Sequence, residues 1–273
     1  MNLVEAAVLG LVQGATEYLP VSSSGHLVLV PHLFGWEKAP FVYDVLVQMG
    51  TLLGVIVYYW RELVVVASAM WRGLRRRQPF GEREARFGWL VGLATLPAGF
   101  AGVLLGDLVE SAFSSAKMTM GFLLVTAALL ALGERFGKRR RDGDALGTRD
   151  AVLIGLAQAG ALFPGVSRSG STIAAGMLLG VDRPGAARFS FLMSIPIMVG
   201  AGALASRELL DDPALLAQHG AGIALGFLTA AISGYIVIRW FLGFLRTRSL
   251  YWFAAYCALV GVTGLVMESL RGA

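Results

Sequence analysis

The sequence predicts an all-α polytopic membrane protein: six transmembrane helices plus two re-entrant helix–turn–helix elements in an inverted-topology repeat. Three observations predict it. First, the 273 residues are 56% hydrophobic and only 15% charged, whereas a soluble domain carries nearer ~25% charged residues. Second, Lys and Arg are distributed very unevenly between the loops. Third, a polar motif inside one apolar stretch returns, altered, inside another 145 positions later.

Apolar stretches of spanning length lie at about 41–60, 88–106, 118–133, 187–206, 221–238 and 250–267. Each is close to the ~20 residues that cross a ~30 Å hydrocarbon core. Spans take up almost the whole chain, so residues 1–273 read as a single integral membrane domain. The N-terminal "MNLVEAAVLG" has neither a positive n-region nor a small-residue cleavage site, so no cleaved signal peptide is expected. Cys257 is the single cysteine, which excludes a disulfide framework and a cysteine metal site. A net charge of +5 could suggest nucleic acid, but the clusters "RGLRRR" and "GKRRRD" flank spans and read as positive-inside anchors. No nucleic-acid partner is expected.

The loops set the topology. Residues 61–87 hold seven basic side chains and 134–150 hold six, while 107–117 has only Lys117 and 207–220 only Arg207. The rich loops are expected in the cytoplasm and both termini outside. This alternation survives only if the two remaining apolar stretches, 3–35 and 151–181, each enter and leave on one side. Non-helical backbone at membrane depth is tolerated where protein buries it or water meets it. The interruptions "PVSSSGH" at 20–26 and "PGVSRSGS" at 164–171 are therefore expected to line a polar cavity.

A shift of 145 residues matches Gly10, Leu11, Gln13, Val21, Ser22, Ser24 and Gly25 to Gly155, Leu156, Gln158, Val166, Ser167, Ser169 and Gly170. Two repeats, about 1–134 and 150–273, follow. Each has a re-entrant pair and three spans, an odd number, so the second sits inverted and a site is expected where the repeats meet.

Gln13 and Glu17 share a helix face before the first turn, and Ser22, Ser23, Ser24, Gly25 and His26 form that turn. From the second come Gly165, Ser167, Arg168, Ser169, Gly170, Ser171 and Thr172. Arg168 is the only basic residue away from loops and membrane edges, and an intramembrane charge costs at least ~2.5 kcal/mol, which makes it a functional candidate. Glycine-rich turns that open helices offer backbone N–H groups and a positive dipole end to phosphate. Ser24, Ser171 and Thr172 equally suit close helix packing, as do the Gly102–Gly106 and Gly222–Gly226 spacings. Asp44 and Gln48 are weaker candidates for lining the cavity. No phosphate-binding P-loop, HExxH, GxSxG or paired Cys/His ligand set occurs.

"QGATEYLPVSSSGH" and "FPGVSRSGST" resemble the two signature motifs of the undecaprenyl-diphosphate phosphatase family, also called bacitracin-resistance proteins. The similarity covers essentially the whole chain. Gln13 stands where that motif takes Glu or Gln, so it supplies no carboxylate. The resemblance implies a bacterial inner-membrane enzyme that hydrolyses undecaprenyl diphosphate to undecaprenyl phosphate and phosphate, with a divalent cation, Mg²⁺ or Ca²⁺. It implies a polyprenyl diphosphate lipid as substrate and bilayer lipids as surroundings, and leaves a homodimer open.

On that reading Arg168 pairs with the diphosphate and stabilises developing charge. Ser23 is the candidate nucleophile, and Glu17 acts as base or metal ligand. His26 is an acid/base or an alternative nucleophile. Gln13, Ser22, Ser24, Gly165, Ser167, Ser169, Gly170 and Thr172, with Gly25, are expected to surround the substrate, and backbone N–H groups from Gly165 to Gly170 to cradle phosphate. The charge map turns the site toward the periplasm. A secondary transporter or flippase for an anionic lipid or solute, built on the same repeat, is the rival expectation.

Overall fold

The computed structural model describes residues 1–37, 39–211 and 213–271. It is all-helical, with no strand among the described residues: α1 (Leu3–Thr16), α2 (Ser23–Phe34), α3 (Phe41–Tyr58), α4 (Trp60–Arg75), α5 (Arg83–Ala112), α6 (Ala116–Phe136), α7 (Thr148–Gly160), α8 (Arg168–Leu178), α9 (Arg183–Asp211), α10 (Pro213–Leu245) and α11 (Tyr251–Arg271). Among the described residues five helices (α5, α6, α9, α10 and α11) are long and apolar enough to cross a bilayer, or six if the bent α3–α4 pair is counted as one span. The 18 residues of α3 alone reach ~27 Å at 1.5 Å per residue.

Both interrupted stretches are helix–turn–helix units. The first breaks between Thr16 and Ser23 around Pro20, the second between Gly160 and Arg168 around Pro164. With 14 and 13 residues, α1 and α7 reach only ~20 Å, too short to span. Each packs on its own partner, α2 or α8.

One stretch departs from expectation. Residues 61–87 contain α4, a helix bent 78° away from α3 at Tyr59. Arginines and tryptophans interrupt its apolar residues on one side, while Ala69 and Gly73 are buried on the other. Val66 and Met70 meet α5 where Gly88 leaves no room for a side chain. An amphipathic helix of this kind belongs at the membrane interface rather than across the core. Counting charges marks the segment as non-spanning but does not reveal its helical face.

Taken in order, with α4 as an extra, α1, α3, α5 and α6 correspond to α7, α9, α10 and α11. The packing follows that correspondence. α1 packs on α10 and α7 on α5, while α3 meets α9 and α6 meets α11. Glycines permit the first two contacts. A side chain on Gly10 would strike Gly226 and Thr229 of α10, and one on its match Gly155 would strike Ala94 of α5. Gly102 and Gly106 do not serve this purpose, because both face open space. Of the other spacing, Gly226 abuts Tyr43 and Val47.

At the Arg-rich end, several of the anchoring arginines turn inward. Buried Glu134, at the end of α6, accepts from Arg183 Nε at 2.6 Å, Arg139 Nη1 at 3.0 Å and the Leu250 N–H at 2.7 Å. Arg141 Nη2 holds Asp150 at 2.6 Å. These clasps fix the ends of α6, α7, α9 and α11 and so the height of the second turn.

Candidate active site

The two turns meet at a cleft of about 170 Å³, lined by Glu17, Ser22, Ser23, Ser24, Ser167 and Arg168 together with Gln48 of α3 and an apolar wall that includes Phe113 and Met198. Glu17 caps the C-terminal end of α1. Its Oε2 accepts from Gln13 Nε2 at 2.8 Å and from Ser23 Oγ at 2.5 Å, and its Oε1 from Arg168 Nη2 at 2.5 Å. Three donors, one of them ionised, hold the carboxylate, as a buried charge requires. The Ser23 bond has the short length typical of a hydroxyl on an ionised acceptor.

Arg168 spends one nitrogen on Glu17. The other, Nη1, is buried and has no hydrogen-bond partner in the protein. The guanidinium also lies 5.8 Å from the centre of the Tyr18 ring, a residue the sequence did not single out although it adjoins Glu17. Gln13 is fully buried, and its Oε1 is likewise without a partner.

Helix geometry adds to the electrostatics. Ser23 and Arg168 are the first residues of α2 and α8, so two helix N-termini converge on the cleft. Ser22 and Ser167 cap them, with Gly25 N–H donating to Ser22 Oγ at 3.3 Å and Gly170 N–H to Ser167 Oγ at 3.0 Å. Both positive dipole ends favour an anion between them.

The turns are also joined directly. Gly165 N–H donates to Ser22 Oγ at 3.0 Å, and Ser169 Oγ to the Leu19 carbonyl at 2.9 Å. Gly25 allows this approach, since a side chain there would press on the Gly165 backbone at 3.3 Å. Gly165 has φ +97°, in the left-handed region, and lies against the Thr119 carbonyl of α6. Thr126 of α6, which the sequence did not flag, pins the second turn by accepting from Ser167 N–H at 2.9 Å and donating to the Gly165 carbonyl at 2.8 Å.

Three expectations change. The phosphate cradle from Gly165 to Gly170 is largely spent inside the protein: the N–H groups of Gly165, Ser167 and Gly170 all have protein acceptors. The cleft is not bordered by His26, whose Nδ1 meets the Ser22 carbonyl at 2.7 Å and whose Nε2 meets Tyr256 of α11 at 2.7 Å, with the two rings stacked. Thr172 bonds the Arg168 carbonyl at 2.8 Å and Ser190 of α9 at 2.6 Å, so it steadies the first turn of α8 and does not border the cleft. Ser24 lines the cleft as expected, 3.3 Å from Ser22 Oγ. Of the two α3 candidates, Gln48 borders the cleft; Asp44 is buried outside its lining.

Comparison with known proteins agrees with this geometry. The family model described as bacitracin resistance protein BacA matches residues 6–263. An undecaprenyl-diphosphatase of Thermomicrobium roseum is 42% identical, covering 98% of this chain and 99% of its own. One from Myxococcus xanthus is 43% identical over 98% and 89%, and one from Desulforudis audaxviator 41% identical over 100% of both chains. With matches of this extent, the chain belongs to the BacA family.

Proposed function

We propose that the protein hydrolyses undecaprenyl diphosphate to undecaprenyl phosphate and inorganic phosphate at the cleft between the two turns, recycling the lipid carrier of cell-wall synthesis and conferring resistance to bacitracin. The relatives' names supply the reaction. One observation carries the site: a buried guanidinium with a free nitrogen, Arg168 Nη1, beside a serine already bonded to a carboxylate. Buried donors are rarely left unpaired, and a phosphoryl oxygen supplies the missing acceptor.

In this reading Ser23 Oγ attacks the terminal phosphorus while its proton passes to Glu17 along the 2.5 Å bond. The new O–P bond forms as the bridging P–O bond breaks, and undecaprenyl phosphate leaves. Glu17 passes that proton to the departing phosphate oxygen; water then attacks the phosphoserine, Glu17 takes its proton and returns it to Ser23 Oγ as the O–P bond breaks, and phosphate is released. Arg168 and the two helix N-termini balance the charge on the transferring phosphoryl group. His26 is a positioning residue that fixes the Ser22 carbonyl and so the start of α2.

A divalent cation suits the donors present. No group of three or more His, Cys, Asp or Glu able to hold a metal occurs among the described residues. Mg²⁺ commonly binds through one carboxylate and substrate phosphates, and Glu17 with the unpartnered Gln13 Oε1 offers such oxygens. Bound there, the ion would neutralise charge on the diphosphate.

The two halves are inverted relative to one another in this proposal, supported by the exchanged packing pairs. The protein resides in the bacterial inner membrane with the cleft toward the periplasm, a side supported by the loop charges. The transporter alternative is set aside, since its architecture requires no serine–carboxylate bond.

Terminally labelled substrate, quenched in acid, tests the chemistry: label is expected on Ser23, and free phosphate without labelled protein would remove the serine as nucleophile. For topology, a cysteine at Lys117 in a Cys257→Ser background should react with an impermeant maleimide in intact cells, and one at Arg140 only after lysis. The reverse pattern inverts the proposal.

A further inference from the structure

The arginines at the basic end are not equivalent. Asp144 binds Arg83 and Arg188, Glu62 binds Arg188, and Glu82 binds Arg72. Arg139 and Arg183 share Glu134, and Arg141 holds Asp150. Arg86, near the start of α5, is exposed and forms no ion pair among the described residues. It stands instead at the mouth of a groove of about 810 Å³ on the outside of α5. Trp89, Leu90, Leu93 and Leu96 follow it at helical spacing, so this face carries a cation and then only apolar side chains. Phe80 and Thr148, the first residue of α7, close the sides, and no acidic side chain lines the groove among the described residues.

The groove has the depth of one leaflet. From Arg86 to Leu96 the helix rises ~15 Å, half of a ~30 Å hydrocarbon core. Trp89 fixes the level. Its Nε1 donates to the Pro79 carbonyl at 3.0 Å, and its ring meets Phe80 edge-on with centroids 6.4 Å apart. Aromatic rings with a polar tie of this kind mark the boundary between headgroups and hydrocarbon.

We propose that this groove binds an anionic phospholipid of the leaflet at the basic end, with its phosphate against Arg86 and an acyl chain along α5. The inference stands apart from the phosphatase reading. Charge selects the occupant. A headgroup of net negative charge gains from an arginine that no acid neutralises, whereas a zwitterionic one brings its own cation to the same place. Depth selects it too, since the apolar stripe ends one leaflet in. Bound there, the lipid links the α4–α5 connection to α7, the helix that leads into the turn before Arg168.

Purified protein, stripped of lipid in detergent, is titrated with phosphatidylglycerol or phosphatidylcholine of the same acyl chains, and bound lipids are counted by native mass spectrometry. The wild type is expected to bind phosphatidylglycerol at least ~5-fold more tightly, the size of one arginine's attraction to an anionic lipid surface. Arg86→Gln should remove that preference. Gly92→Trp should weaken binding of both lipids, because a side chain at Gly92 meets no atom within 4 Å and enters the groove without backbone strain. Arg246 is exposed and outside the groove, so Arg246→Gln should keep the wild-type preference. Thermal unfolding without added lipid checks each fold, and either groove variant suffices if the other fails. Equal binding of the two lipids by the wild type, or a preference that survives Arg86→Gln, overturns the site. An equal loss in Arg246→Gln overturns it as well, leaving only a general basic surface. Dimers that form as lipid is removed and vanish in Gly92→Trp would assign the groove to a second copy of the chain instead.

Discussion

The two turns share a frame and differ in cargo. At a 145-residue offset, Ser22 and Ser167 each cap a helix through the glycine three positions on, and Ser23 and Arg168 each begin that helix. Where the first turn carries Glu17, Ser23 and His26, the second carries Leu162, Arg168 and Ser171. The acid and the hydroxyl lie on one turn, the fixed cation on the other, and the packing of the two turns brings them within one hydrogen bond. The caps are not identical. Ser22 has φ +65° and Ser167 −69°, so only the first turn holds a non-glycine residue in the left-handed region, at a cost of order 1–3 kcal/mol. His26 accounts for its persistence by binding the Ser22 carbonyl, and Gly165 N–H binds the Ser22 hydroxyl. The lesson is that two similarly capped helix starts carry different chemistry at the residues just inside each cap.

The largest effect should come from the matched pair itself. Ser23→Ala removes the oxygen proposed to attack and is expected to cut phosphate release by at least ~10⁴-fold, in the range that loss of a nucleophile produces elsewhere. Retention of a tenth of wild-type turnover would mean that the two helix starts differ less than their side chains suggest. Arg168→Lys keeps the charge of the opposite turn but removes the planar fork that spans Glu17 and the free Nη1 position. A fall of ~10²–10³-fold in kcat is expected, similar to losing one preorganised donor. Glu17→Gln should cost ~10²–10⁴-fold, the usual worth of a general base. Since an amide also leaves Arg168 buried without its counter-ion, the variant should be less stable too. Thermal unfolding in detergent measures that second part, and an inactive variant of unchanged stability separates chemistry from packing.

Smaller effects are expected where the frame is held from outside. Thr126→Val preserves shape while stranding the Ser167 N–H and the Gly165 carbonyl, which should lower stability by ~1–3 kcal/mol. His26→Ala unties the first turn from α11 and is expected to reduce kcat without changing which residue carries label. If label moves or vanishes in His26→Ala with the fold intact, the histidine acts in the chemistry and the first turn holds three catalytic groups instead of two.

Much of this was legible in sequence, and the pattern of hits and misses follows sequence distance. Spans, breaks and the repeat are local properties of composition. Glu17, Ser23 and Arg168 stood out because a charge or a cluster of hydroxyls inside apolar sequence is costly wherever the chain folds. The misses depend on what lies across an interface. Whether the N–H groups of Gly165 and Gly170 face a ligand or another hydroxyl is decided by Ser22, Thr126 and Ser167. His26 adjoins the Ser23 turn in sequence, but Tyr256, 230 residues away, meets its outer nitrogen. The helical face of α4 was hidden because its arginines announce a loop while its Val66 and Met70 fit Gly88.

The smallest predicted effect is also the most direct check on the asymmetry. Ser171 occupies in the second turn the place of His26 in the first, and it is buried beside an apolar groove against α6. Whereas the histidine bonds at both nitrogens, the Ser171 hydroxyl has no hydrogen-bond partner in the protein. A buried hydroxyl without a partner carries its desolvation cost uncompensated, so replacing it with an apolar group of similar size is neutral or slightly favourable. Ser171→Ala should therefore leave phosphate release within about twofold and stability within ~0.5 kcal/mol of wild type, in contrast to His26→Ala. Loss of more than ~1 kcal/mol would show that the hydroxyl has a bonding partner. The second turn would then be anchored at the same position as the first, and the difference between them would reduce to Glu17, Ser23 and Arg168.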